Sequence, residues 1–458
     1  MLALARRWRS AKAPIWPAPC TRGNFSSAAS QVAEDVPVPQ TFEEAIGDKP
    51  LLVRDYIRQA LYHPKFGYFS SRPDVVGSMR EPLDFSGISG GRFAYRKHIA
   101  ELYKQNDMSW FTPVELFQPW YGFAVAEYIL QTMNPQFPLK IYEIGGGTGT
   151  CASNVLGYIR ERQGDVYKTM HYTSVDVSEG LANKQRHRLC EEEEHGDKFS
   201  VECRNARDKS GWGEQDESPC YVVMLEVLDN MPHDLLFRES SKSPWMETYV
   251  QYDSSESRFV EHHRPVEDSL VSRCLEILGK ERDGDSVDVV RKLTKSVKSI
   301  FSRVLPSPEK WWIPTGCMEL LESLHYARPN MVMVVSDFSF LPEVKIPGRG
   351  APLVSSKKDG VTTDYSSYLD AKGEADIFFP TDFDQLLILD NECAISQSEG
   401  KIVPNKFGVY RGSAIMSSSN FMSRFAYVNQ VKTKSGFNPL LDEYSNTKVY
   451  LSAPVLKG

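Results

Sequence analysis

The sequence is notable first for what it lacks. It contains no apolar run approaching the ~20 residues that a membrane-spanning helix requires, so we expect no transmembrane segment. Its eight cysteines include no C-x-x-C pair and no set with histidines at zinc spacing, so we predict no metal site. Scattered thiols of this kind fit a reducing, matrix-like compartment better than secretion. The formal net charge of -7 gives no support to a nucleic-acid partner, which usually leaves a basic footprint.

The N-terminal segment differs in composition from the rest of the chain. Residues 1–33 contain no acidic residue and several basic ones, namely Arg6, Arg7, Arg9, Lys12 and Arg22. This composition is typical of an organelle transit peptide, and its arginine content favours the mitochondrion over the chloroplast. The alternative is a disordered tail that happens to be basic. We expect a helical cover region over residues 34–133, a main domain over 134–393 and a C-terminal extension over 394–458.

Strand-like and helix-like segments alternate in the main domain. The strands are predicted over 139–144, 171–178, 199–206 and 220–228, and the helices between them over 150–162 and 181–194. This alternation indicates βαβ units around a parallel sheet, which gives an α/β fold with an open doubly wound sheet. Residues 244–262 alternate with period two around a polar turn and predict an inserted β-hairpin. We expect the hairpin and the block 42–105 to cover the cleft.

A glycine-rich loop, "YEIGGGTGT", follows the first of these strands at residues 142–150. The dinucleotide pattern G-x-G-x-x-G fails because Thr150 stands where the third glycine is needed. A Walker loop fails because no Lys-Ser/Thr pair follows. The spacing that fits is acid-x-G-x-G-x-G, formed by Glu143, Gly145, Gly147 and Gly149. It resembles motif I of the class I S-adenosylmethionine-dependent methyltransferases, which implies that the loop holds the amino-acid end of this cofactor.

Two further polar residues follow neighbouring strands. Asp176 ends the second strand, where class I methyltransferases place an acid that accepts hydrogen bonds from both ribose hydroxyls. Its alternative role is to cap the following helix, which Ser178 could also do. Asn205 follows the third strand, where the resemblance places a polar residue near the adenine. An ordinary turn residue is an equally good interpretation of Asn205.

Beyond the glycine loop, four blocks resemble the MidA-type family of mitochondrial complex I assembly methyltransferases, which are S-adenosylmethionine-dependent protein arginine methyltransferases. The blocks lie at 60–71, 172–189, 225–235 and 373–386. The resemblance implies a class I Rossmann-like fold, S-adenosyl-L-methionine as cofactor, and a protein substrate that is a complex I subunit in the mitochondrial matrix. The chain departs from the family at Leu225, where the family has asparagine, and in the segment 83–90.

The candidate catalytic residues are Glu226 and Asp229, which follow the fourth strand. A guanidinium needs carboxylates that orient it and accept the released proton. Glu226 ends an apolar strand, where an unpaired carboxylate is costly unless it meets a cation or a donor. Asp229 could instead be a turn residue. Two other functions remain open: an inactive assembly factor that keeps the fold, and a methyltransferase for a small molecule such as a quinone precursor.

Overall fold

The computed structural model describes residues 39–72, 77–79, 81–105, 111–280, 308–358, 361–397 and 411–455. The predicted transit peptide lies outside these residues. None of the helices within these ranges is both long and apolar enough to cross a membrane.

Fifteen strands, numbered in chain order within the described ranges, form three sheets. Their bounds are β1 Leu51–Leu52, β2 Lys140–Ile144, β3 His171–Asp176, β4 Phe199–Cys203, β5 Cys220–Leu225, β6 Asp234–Arg238, β7 Met246–Asp253, β8 Arg258–Pro265, β9 Glu309–Ile313, β10 Met331–Phe338, β11 Leu353–Lys358, β12 Val361–Asp364, β13 Asp376–Phe378, β14 Arg411–Ser417 and β15 Thr447–Pro454.

The helices of the described ranges are numbered in the same way. Their bounds are α1 Phe42–Ile46, α2 Val53–Tyr62, α3 Tyr68–Ser71, α4 Arg92–Gln105, α5 Pro113–Leu116, α6 Trp120–Thr132, α7 Thr150–Arg162, α8 Gly164–Thr169, α9 Glu179–Arg186, α10 Ser269–Lys280, α11 Thr315–Ala327, α12 Phe383–Gln397, α13 Ser418–Phe425 and α14 Pro439–Asp442. The predicted helix 181–194 divides into α9 and a π-helical segment, His187–Glu192.

The main sheet has the strand order β14-β15-β10-β5-β2-β3-β4. The five strands from β4 to β10 are parallel to their neighbours, whereas β15 is antiparallel to β10 and β14 is antiparallel to β15. The chain runs outward from β2 to β3 and β4, then returns to place β5 on the other side of β2. The predicted doubly wound α/β sheet is therefore confirmed, with its switch point between β2 and β5, where such sheets bind ligands.

Helices cover both faces of this sheet. Helices α6, α7 and α13 contribute to one hydrophobic cluster, and α10, α11 and α12 contribute to the other. Strand β5 shows why its sequence is apolar throughout: Tyr221 and Val223 pack into the first cluster, whereas Val222 and Met224 pack into the second. Successive side chains of a strand point to opposite faces, so a strand buried on both sides has no polar positions.

The hairpin predicted over 244–262 is present as β7 and β8, paired from Met246–Pro265 to Asp253–Arg258. It belongs to a separate five-stranded sheet with β1, β6 and β9. Helix α2 packs against this sheet and against the small sheet of β11, β12 and β13 through a third hydrophobic cluster. The N-terminal region is thereby fixed beside the main sheet.

Residues beyond 393 contribute directly to the main sheet, through β14 and β15. A buried ionic network fastens them there. Arg411 on β14 donates from Nε to the Oδ2 atom of Asp390 at 3.0 Å and from Nη2 to the Met331 carbonyl at 3.0 Å. His325 Nε2 lies 2.7 Å from Asp390 Oδ1. These charges are paired and almost fully enclosed, which is the condition under which buried charges are tolerated.

Candidate active site

A cavity of about 690 Å³ lies at the carboxyl ends of β2, β3 and β5. Six of the eight residues predicted as a site line it, namely Gly145, Gly147, Asp176, Asn205, Glu226 and Asp229. Glu143 and Gly149 are not among the lining residues. The topology therefore brings together residues that follow or end four strands, β2, β3, β4 and β5, which are far apart in the chain.

The glycine loop owes its composition to its backbone geometry. Gly145, Gly147 and Gly149 have φ angles of +67°, +55° and +83°, in the left-handed region that favours glycine. Gly145 also lies close to Val227, whose Cγ2 atom would be 3.0 Å from a Cβ added at this position. Gly149 immediately precedes helix α7. The three alternate glycines thus turn the chain tightly from β2 into α7, and two of them border the cavity.

Glu143 lies behind the loop. Its carboxyl group is buried and accepts a hydrogen bond from the Tyr172 hydroxyl at 3.0 Å. Burial raises the pKa of Glu143 to about 7, since few donors compensate for the loss of water. The residue supports the loop from within the core, and its contact with a cofactor ammonium stays a prediction.

Asp176 ends β3 at the cavity wall. Its Oδ1 atom accepts from the Ser178 amide at 2.9 Å, and its Oδ2 atom accepts from Gln185 Nε2 at 3.1 Å. Burial raises the pKa of Asp176, and these donors partly offset that effect. The cap of helix α9 is Ser178, whose hydroxyl accepts from the Leu181 amide at 3.4 Å.

Gln185 connects the two parts of the cofactor motif. Its Nε2 atom donates to the Gly147 carbonyl at 2.9 Å as well as to Asp176. No site role was predicted for Gln185 from the sequence. A signal was present, however, because Leu181, Ala182 and Gln185 are the buried face of α9 at helical spacing, and a glutamine there needs polar partners.

Asn205 forms a turn as well as lining the cavity. Its Oδ1 atom accepts from the Arg207 amide at 3.0 Å, a local side-chain-to-backbone turn. The turn interpretation therefore describes its observed contact, and an interaction with adenine stays a prediction.

Glu226 has an unusual backbone at the end of β5. Its φ angle is +55°, which is strained for a residue with a side chain, and its amide donates to the Ser336 carbonyl at 2.8 Å. Its carboxylate has no hydrogen-bond partner within the part of the chain that the structure describes, and it is partly exposed to the cavity. Burial, followed by repulsion from Asp337, raises the pKa of Glu226 to about 8.

Asp229 lies deeper, and its Oδ1 atom is buried without a hydrogen-bond partner among the described residues. Burial and the neighbouring acids Asp337, Glu226 and Asp376 raise its pKa well above the usual range. Asp337 holds the loop by accepting from the Leu228 and Asp229 amides at 2.9 and 3.2 Å. Asp376 lines the cavity and accepts from Asn230 Nδ2 at 2.8 Å. Asp337 and Asp376 were not predicted as site residues.

The N-terminal region forms one wall of the cavity through aromatic side chains, Tyr62, Phe69 and Tyr103, joined by Phe111. The prediction that the hairpin also covers the cleft was wrong: no lining residue comes from β7 or β8. The reason is that β7 pairs with β1 and β6 and stays within the separate sheet.

The family comparison gives the class of protein. Residues 124–399, more than half of the chain, match the family described as "Putative S-adenosyl-L-methionine-dependent methyltransferase". The chain belongs to this family. The resemblance to the MidA-type methyltransferases is confirmed, and the cofactor is S-adenosyl-L-methionine. The cavity fits such a group, since the left-handed glycines bring bare backbone to its surface and Asp176 stands at the next strand.

Two curated relatives carry the same name, "Protein arginine methyltransferase NDUFAF7 homolog, mitochondrial". The Schizosaccharomyces pombe protein is 25% identical over 250 residues, which is 53% of this chain and 52% of that protein. The Drosophila melanogaster protein is 30% identical over 141 residues, which is 31% of this chain and 26% of that protein. The match thus spans about half the length of the first relative and about a quarter of the second.

Two solved structures from Burkholderia thailandensis, both described as members of the same superfamily, show the same fold as this methyltransferase. One contains S-adenosyl-homocysteine, with a TM-score of 0.58, 15% identity and 90% coverage of both chains. The other is a native crystal structure, with a TM-score of 0.55 at the same identity and coverage. The class I fold is therefore shown for the chain as a whole. Within the described ranges, no three His, Cys, Asp or Glu residues form a group that could hold a metal ion.

Proposed function

We propose that this methyltransferase is a mitochondrial enzyme that methylates an arginine of a protein substrate, a subunit of respiratory complex I, during assembly of that complex. One observation carries the proposal: the Glu226 carboxylate, which has no hydrogen-bond partner in the described part of the chain, opens into the same cavity as the glycine loop, with Asp229 and Asp376 beside it. An acidic chamber next to the cofactor motif is the environment that a guanidinium requires. Both curated relatives are named as mitochondrial protein arginine methyltransferases, which supports the proposed reaction and compartment.

The proposal includes a role for each predicted cofactor residue. We assign Gly145, Gly147 and Gly149 to the backbone that holds the amino-acid end, supported from beneath by Glu143. Asp176 accepts from the ribose hydroxyls, since one carboxylate suits a vicinal diol. Asn205 borders the adenine.

The chemistry requires little covalent participation by the protein. When bound, S-adenosyl-L-methionine supplies an electrophilic methyl group on a sulfonium. Glu226 and Asp229 orient the guanidinium fork and take the proton that it releases, because a guanidinium has no free lone pair while fully protonated. The aromatic wall of Tyr62, Phe69 and Tyr103 keeps water away from the reacting atoms.

Localisation and domain organisation belong to the same proposal. Residues 1–33 direct the chain to the mitochondrial matrix, and residues 34–133 form the cover. Residues 134–393 form the catalytic domain, and residues 394–458 extend it. The relatives' names include the mitochondrion, and the arginine-rich, acid-free composition of residues 1–33 supports import.

A second candidate function is an assembly factor that binds the cofactor and the partner without methyl transfer. Leu225 supports it, since this residue lines the cavity where the family has an asparagine. A third is methylation of a small molecule.

Calorimetry of the full chain with S-adenosyl-L-methionine is the first test, and absence of binding would overturn both enzymatic functions. Labelled cofactor is then incubated with the protein and a mitochondrial extract. Label in a protein band that is lost with Glu226→Gln supports the proposed enzyme. Label in the organic phase supports a small-molecule substrate, and cofactor binding without transfer supports the assembly factor. Mass spectrometry of the labelled band identifies the methylated residue.

A further inference from the structure

The deep end of the cavity gathers more carboxyl groups than a pair of catalytic acids needs. Glu226 and Asp229 come from the loop after β5, and Asp376 comes from the first position of β13. All three line the cavity. Asp337 on β10 lies directly behind them.

These four carboxyl groups differ in the hydrogen bonds that they accept. Asp337 accepts backbone hydrogen bonds from Leu228, Asp229 and Phe338, which makes it a structural anchor for the loop. Asp376 accepts one side-chain donor, from Asn230. Neither Glu226 nor Asp229 accepts a side-chain donor within the described ranges, and no ion pair reaches any of the three cavity-lining acids there.

The other charged or titratable groups nearby do not neutralise this cluster. Tyr62 on α2 faces Asp229 and Asp376, and the Tyr103, Tyr121 and Tyr444 hydroxyls face Glu226. Three arginines and His63 also line the cavity, and each arginine is paired with another acid: Arg58 with Asp55, Arg204 with Glu202 at 2.7 Å, and Arg207 with Glu319 at 2.8 Å. Burial raises the pKa values of all three cavity acids, to about 8 for Glu226 and about 7 for Asp376.

We propose that Asp376 is a further substrate-binding residue, and that Glu226, Asp229 and Asp376 together bind the cationic side chain of the substrate in exchange for protons. The inference rests on the proposed function, because it concerns the same site. Carboxyls that are buried and crowded against one another cannot all ionise, so the site retains protons when no substrate is bound. An incoming guanidinium brings a positive charge and five N–H donors, which favour the ionised carboxylates. Each displaced proton passes to the solvent.

The experiment uses the full chain loaded with S-adenosyl-homocysteine and a short blocked peptide that contains one arginine. The same peptide with citrulline in place of arginine is the control ligand, since it has a similar shape and no charge. Calorimetry near pH 7 in two buffers of different ionisation enthalpy measures both affinity and proton release. We expect the arginine peptide to bind with release of about one proton, and the citrulline peptide to bind at least about tenfold more weakly without release.

Asp376→Asn keeps an oxygen that can accept from Asn230 and removes only the ionisation. We expect it to weaken arginine-peptide binding about tenfold and to lower proton release, with the affinity for S-adenosyl-homocysteine unchanged. Asp253→Asn, in the exposed hairpin turn, is the matched control and changes neither. If Asp376→Asn loses its fold, Asp229→Asn serves instead, because the Oδ1 atom of Asp229 makes no hydrogen bond that the variant would lose.

Binding of both peptides with equal affinity, absence of proton release, or unchanged binding in both variants would overturn the inference. Failure of the proposed function looks different. Cation binding with proton release but no methyl transfer would leave this inference standing and remove the enzymatic function.

Discussion

Gly146 lies directly against Ser174: a Cβ atom added to Gly146 would be 2.5 Å from the Ser174 Oγ atom. Gly146 is the one glycine of the loop that falls outside the alternate acid-x-G-x-G-x-G spacing, and its φ angle is not in the left-handed region. Glycine is therefore needed at position 146 because β3 leaves no space for a side chain. At the three alternate positions glycine is needed because the backbone is left-handed.

Gly146→Ala should displace the loop and cost about 1–3 kcal/mol of folding free energy, with weaker binding of S-adenosyl-homocysteine. The double variant with Ser174→Ala should recover much of both, because it removes the overlapping oxygen. Gly157→Ala, on α7 with no atom within 4 Å of the added Cβ, is the control and should stabilise the helix slightly. Denaturant titration and calorimetry measure the effects. Equal behaviour of the single and double variants would contradict the explanation.

Asp176 and Ser178 separate cofactor binding from helix capping. Asp176→Asn should weaken binding of S-adenosyl-homocysteine by about 10- to 100-fold, since it removes the charged acceptor from the cavity wall. Ser178→Ala should lower the free energy of unfolding by about 1 kcal/mol and leave the affinity nearly unchanged, because its hydroxyl caps α9. Weaker cofactor binding in the Ser178 variant, with only a loss of stability in the Asp176 variant, would contradict this assignment.

Glu226→Gln should reduce methyl transfer by about 10²–10⁴-fold and leave cofactor affinity unchanged, because an amide cannot accept the substrate proton. Glu194→Gln is a matched control, since Glu194 is an exposed glutamate with a similar left-handed φ of +58°. Transfer assays with both variants test the assignment. Normal transfer by the Glu226 variant would remove this residue from the mechanism.

Stability should depend on pH through Asp376. Its folded pKa, raised to about 7 by burial, lies above the usual unfolded value, so the folded state binds the extra proton between about pH 4 and pH 7. The free energy of unfolding therefore falls as pH rises through this window. Asp376→Asn should match the wild type near pH 4 and exceed it by about 1–3 kcal/mol at pH 8.5. Urea titrations of both proteins at both pH values measure this difference. The same difference in free energy of unfolding at pH 4 and pH 8.5 would contradict the prediction.

Removal of one partner of the buried Arg411–Asp390 pair should strongly destabilise the protein. Arg411→Met leaves the enclosed Asp390 carboxylate without its cation and should lower the free energy of unfolding by about 3–5 kcal/mol. Arg273→Met removes an exposed pair with Glu322 and should cost about 0–1 kcal/mol. A difference of less than about 1 kcal/mol between the variants would contradict the buried network's role.

Local pattern was sufficient for the elements around the glycine loop. Helix α7 begins and ends at the predicted residues, since the glycine loop ends at Gly149 and the apolar helical spacing continues to Ile159 in the last turn. Strand β5 ends earlier than predicted, at Leu225, because the backbone turns at Glu226. No local signal could show that turn, which depends on the hydrogen bond to Ser336 in β10.

The acid cluster and the last strands of the sheet required the tertiary structure. Asp337 reaches the loop behind the cavity only because β10 lies beside β5, and Asp376 reaches the cavity only because β13 approaches that loop through Asn230. Strand β15 contains Thr, Lys and Ser among its apolar residues, so its sequence pattern does not predict a buried strand. Its pairing with β10 shows that it is one.

The long-range pairing of β1 with β7, which joins Leu51 to Val250, has a consequence for how the protein folds. Contacts between segments so distant in the chain form slowly, because a large loop must close before they are gained. The cavity likewise takes its lining from residues as distant as Arg58 and Asn446. No contiguous fragment of the chain can therefore assemble the complete lining. We expect the whole cavity to form late in folding, so that cofactor binding would report that folding is complete.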